Sequence, residues 1–64
     1  MEFKTTRLYY NESGNIEYKC QHWKTNADTA DNKWIITKFT YTDSKISNIQ
    51  VSEGKCDDRV SLNW

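Results

Sequence analysis

KWIITKFTY, residues Lys33 to Tyr41, is the most strand-prone stretch of this chain. Apart from its two lysines every side chain is β-branched or aromatic, and neither glycine nor proline interrupts it, so it reads as a full-length β-strand. In an extended chain Ile35, Thr37, Phe39 and Tyr41 share one face, and Trp34, Ile36, Lys38 and Thr40 share the other. Both faces begin apolar. Such a strand belongs inside a sheet that is covered on both sides near that end, by its own chain or by a partner. Trp34, Ile36 and Phe39 are therefore the expected core.

On the N-terminal side lie two more strand patterns. Glu2 to Tyr10 alternates Phe3, Thr5, Arg7 and Tyr9 against Lys4, Thr6, Leu8 and Tyr10. NESGN, Asn11 to Asn15, then closes a hairpin, with Gly14 suited to positive φ. Ile16 to Trp23 is the second strand: Ile16, Tyr18, Cys20 and His22 fall on one face, and Glu17, Lys19 and Gln21 on the other. KTNADTADN, Lys24 to Asn32, is too polar for a sheet core and reads as a loop.

Beyond the central strand, Asp43 and Ser44 suit a type I turn. Lys45 to Ser52 is a fourth strand with a fault in its alternation, because Ile46 lies on one parity and Ile49 and Val51 on the other. That change of phase places a bulge near Ser47 and Asn48. A polar turn around Gly54 leads to RVSLNW, which alternates Val60, Leu62 and Trp64 and can add a fifth strand. The expected fold is all-β, a small antiparallel meander of four or five strands, open or barrel-like, spanning residues 1–64 as one domain.

At 64 residues the chain buries only about 60% of the surface its unfolded form exposes, so support from disulfides, metal or assembly is expected. Nine basic residues balance nine acidic ones without a basic stripe, which argues against a nucleic-acid partner. No apolar run is long enough for a secretory signal or a bilayer span, so synthesis in a reducing cytoplasm with no membrane partner is expected, with Cys20 and Cys56 as thiols.

Cys20 and His22 point the same way on a strand, but zinc needs four ligands and this is the one close pair, so no metal and no cofactor are expected. His22 is also the only histidine, and no nucleophile motif accompanies it, so no catalytic residue is assigned. Acidic neighbours Asp57 and Asp58 disfavour a thiolate at Cys56. Trp23, Trp34, Trp64 and the tyrosines Tyr9, Tyr10, Tyr18 and Tyr41 can stack bases or sugars. They equally supply the buried area that a tiny core or a subunit interface needs, and that reading is preferred.

Ala27, Thr29 and Ala30 in the loop, Trp34, Ile36 and Lys38 in the strand, and Asp58, Arg59, Ser61, Leu62 and Trp64 at the end form a recurring pattern. Mainly over the C-terminal two-thirds, the chain resembles short uncharacterised structural proteins of tailed bacteriophages. It departs from them at Cys56, where an aromatic or small residue is expected. The resemblance implies a non-enzymatic virion subunit (tail, collar, fibre or capsid-decorating component) made in the bacterial host cytoplasm. Its partners would be other virion proteins or copies of itself. Arg59, Leu62 and Trp64 are the residues expected to close the domain or anchor its assembly, from an extended segment. The alternatives from the residues are a small binder of single-stranded nucleic acid or oligosaccharide, and a phage-encoded inhibitor that pairs with a host protein through an edge strand.

Overall fold

The computed structural model describes residues 2–62 and 64. Four antiparallel strands follow one another as a meander: β1 (Thr5–Tyr10), β2 (Ile16–His22), β3 (Trp34–Thr42) and β4 (Lys45–Gly54). The sheet is open, with β1 and β4 as its edges. After it comes one 3₁₀ turn, η1 (Cys56–Asp58).

The turns are made by local chemistry. The Asn11 side-chain oxygen accepts from the backbone N–H groups of Ser13 and Asn15, both at 3.0 Å, and Gly14 takes a φ of 85° that an L side chain rarely adopts. Between β3 and β4, Asp43 and Ser44 have φ values of 53° and 65°. Two positive values in a two-residue hairpin belong to a type I′ turn, whose twist matches the strands; the expected type I turn would splay them.

Register assigns the faces. Cys20 lies opposite both Arg7 and Ile36, and Tyr18 lies opposite Tyr9 and Lys38. Residues directly opposite share a face, so Tyr9, Tyr18, Cys20 and Ile36 are on one side, with His22 and Trp34 following by alternation. That side is covered by the chain itself. Its buried cluster is Tyr18, Cys20, Trp34, Ile36 and Cys56, with Tyr9, Ala27, Leu62 and Trp64 packed against it. The loop between β2 and β3 contributes to the cover: the Trp34 indole N–H donates to the Asp28 carbonyl at 2.8 Å, and the Asp57 N–H donates to the Thr29 carbonyl at 3.1 Å.

Phe39 is a correction. It is half-buried on the opposite face, outside the buried cluster, because it differs in parity from Trp34 and Ile36, on whose side that cluster lies. A second correction concerns the chain end. Among the described residues the C-terminal segment adds no fifth strand: hydrogen bonds from the Arg59 N–H to the Cys56 carbonyl and from the Ser61 N–H to the Asp58 carbonyl coil it into turns. Val60 consequently points to solvent while Leu62 and Trp64 turn inward, and no extended alternation survives.

Candidate interaction surface

The C-terminal cap is held by polar contacts at its base. The Arg59 guanidinium lies 3.5 Å from the centre of the Tyr9 ring and donates to the Cys56 carbonyl at 3.1 Å. Such stacking neutralises no charge but fixes the planar fork against an aromatic face. The Trp64 indole N–H donates to the Arg59 carbonyl at 2.8 Å, and the Trp64 ring tilts against Tyr18 with centroids 6.3 Å apart. Leu62 sits over Gly54; a β-carbon added there would lie 3.0 Å from a Leu62 methyl. Gly54 thus serves as the floor on which Leu62 rests. Arg59, Leu62 and Trp64 all gather on the face that bears Trp34 and Ile36.

Beneath the cap lie two buried free thiols. Arg7 Nε donates to the Tyr9 hydroxyl oxygen at 3.2 Å, which leaves the phenol proton free for Cys56 Sγ, also at 3.2 Å. Burial, followed by the hydrogen bond and proximity to Cys56, pushes the Cys20 thiol up to about 12. At neutral pH a thiol in that state is protonated and packs as a small neutral group.

His22 is fully buried, edge-on to Trp34 with ring centroids 5.1 Å apart. Its Nδ1 accepts from the Lys24 backbone N–H at 3.0 Å, so the ring proton belongs on Nε2, which faces Asp31 at 3.4 Å. Asp31 also accepts from the Lys33 N–H at 2.9 Å, and that bond, ahead of the His22 contact, lowers its pKa. The pair resembles a catalytic dyad in composition alone. One ring nitrogen is tied to backbone, the other faces the acid, and neither is open to a substrate. Among the described residues no three His, Cys, Asp or Glu side chains gather as a metal site, and no helix is long and apolar enough to cross a membrane.

The opposite face of the sheet is different. Register places Thr37 opposite Val51, Phe39 opposite Ile49 and Tyr41 opposite Ile46. The shift between Thr40 and Tyr41 leaves Ser47 as the extra residue of a β4 bulge. That bulge undoes the fault in the alternation, so Ile46, Ile49 and Val51 all come to the same side. Their exposures are 52%, 55% and 65%, and Leu8 across the sheet, opposite Lys19, is 41% exposed. That β4 adds Ile46, Ile49 and Val51 together to this face was not read from the sequence; its signal was the phase change itself, once read together with its repair. A shallow depression at one end, lined by Tyr10, Asn11, Glu12, Ser13 and Glu17, is a polar hollow beside the first turn.

Aromatic placement divides along the same lines. Trp34, Trp64, Tyr9 and Tyr18 belong to the covered side or its cap, Tyr41 spends its hydroxyl on the Ile16 carbonyl at 2.7 Å, and Trp23 stacks on Phe3 at 4.5 Å. Comparison of the chain with protein-family models, curated proteins and solved structures finds no match.

Proposed function

We propose that this chain is a non-enzymatic structural subunit of a tailed-bacteriophage virion, working through protein–protein assembly. The observation that supports assembly is the open sheet face of Leu8, Phe39, Ile46, Ile49 and Val51, which the chain leaves uncovered. The virion setting rests on the resemblance carried by Trp34, Ile36 and Lys38 and by the Asp58 to Trp64 ending. Binding of nucleic acid or oligosaccharide is the weaker reading, because most rings that could stack are engaged within the covered side and net charge is zero. Inhibition of a host protein is favoured by one observation only, the outer edges of β1 and β4, which have no further strand beside them among the described residues. Quantitative mass spectrometry of purified particles from the source tests the proposal. The expected result is the chain in multiple copies per particle; its absence from particles alongside abundance in the infected cell overturns it.

A further inference from the structure

We infer that the open face is covered by a second copy of this chain, two sheets packing face to face as a two-fold β-sandwich. The inference deepens the assembly reading and rests on it. The first argument is area. Strands of 6, 7, 9 and 10 residues, rising about 3.3 Å per residue and spaced about 4.8 Å apart, make a face about 20 Å wide and on average about 26 Å long. That is on the order of 500 Å² per copy and 1,000 Å² for a pair, the threshold that a specific interface must clear. A single docked helix, about 10 Å wide, covers roughly half of that width. A sheet of matching size covers all of it, and the chain itself supplies one.

Shape and charge agree. Two sheets pack about 10 Å apart with their side chains interdigitating, and Val51 with the rows Phe39–Ile49 and Tyr41–Ile46 presents the β-branched and aromatic side chains that such packing uses. The same face carries Lys19 between Leu8 and Thr37, with Glu53 opposite Ile35 and Glu17 at the parity of Lys19. A base dehydrated in an interface needs an acid. A copy related by a two-fold brings one, because the face holds both signs, and chains of zero net charge do not repel each other.

Sedimentation of the full chain from low micromolar to several hundred micromolar tests this. The expected result is a reversible rise from one to two chain masses. Ile49→Asp and, separately, Val51→Asp put an acid into the interface and weaken association at least ~10-fold, while Val60→Asp, on an exposed residue of the C-terminal turns, leaves it unchanged. A parent that stays monomeric over the whole range overturns the inference without any variant, and so does an association that survives both open-face variants. The particle measurement separates the two ideas: a monomer that enters virions refutes the second copy but not the virion role, and a dimer absent from virions does the reverse.

Discussion

Truncating Ile36 to alanine should remove a large share of the stability of this protein, whereas truncating Phe39 should cost much less. Ile36 is fully buried between Cys20 and Ser52 in register, at the centre of the covered side. Ile36→Ala removes three carbons; at about 0.8 kcal/mol each this is roughly 2.4 kcal/mol of transfer free energy, and the residual cavity raises the loss to about 3 to 4 kcal/mol. At about 0.05 to 0.15 kcal/mol per residue a chain of this size has roughly 3 to 10 kcal/mol in total, so the variant should lose from about a third to nearly all of its stability. Phe39 is larger but half-buried on the open face, and Phe39→Ala should cost about 1 to 2 kcal/mol in the monomer. The assay is urea unfolding followed by far-ultraviolet circular dichroism at low micromolar protein, where dimers are sparse. An Ile36→Ala midpoint equal to the parent's, or a Phe39→Ala loss larger than that of Ile36→Ala, would refute the placement of the core on the covered side.

Deleting Arg59 to Trp64 removes Leu62, Trp64 and the guanidinium stacked on Tyr9, and should lower the melting temperature and expose Cys56 to a thiol reagent; an unchanged melt would show that the cap is not structural. In Gly54→Ala the new methyl meets Leu62 at 3.0 Å, so a loss of about 1 kcal/mol is expected, relieved in the background of Leu62→Ala. Stability should also fall in alkali. Burial, chiefly, raises the folded-state pKa of the Cys20 thiol, from 9.0 to about 12, and those of the Tyr9 and Tyr18 phenols. Their contribution is therefore full below about pH 9 and is lost as pH rises towards 12. Urea midpoints that stay flat from pH 8 to about pH 11 would contradict the burial of these groups. Asp28→Ala removes one Asx-turn acceptor, for the Ala30 N–H, and should shift stability by less than about 0.5 kcal/mol while the carbonyl that holds Trp34 remains.

Local chemistry made much of the fold legible. Alternation with period two marked the strands at β1 to β4, asparagine and glycine marked the first turn, and the phase fault between Ile46 and Ile49 marked the bulge at Ser47. Each of these depends on neighbours within a few residues, which is why one sequence suffices to read them. The sequence also carried both faces of Trp34 to Tyr41 as apolar, but parity alone cannot say which face a distant segment will cover. That depended on long-range contacts: Asp57 reaching Thr29, Arg59 lying on Tyr9, and Leu62 settling where Gly54 has no side chain. The same contacts coil the ending RVSLNW into turns, because a cap over a narrow sheet satisfies its backbone through local hydrogen bonds and leaves strand pairing to others. They put Trp34 and Ile36 in the core and left Phe39 half-open. They also left Ile46, Ile49 and Val51 facing outward, because the loop and the C-terminal turns both pack on the side of Trp34 and Ile36.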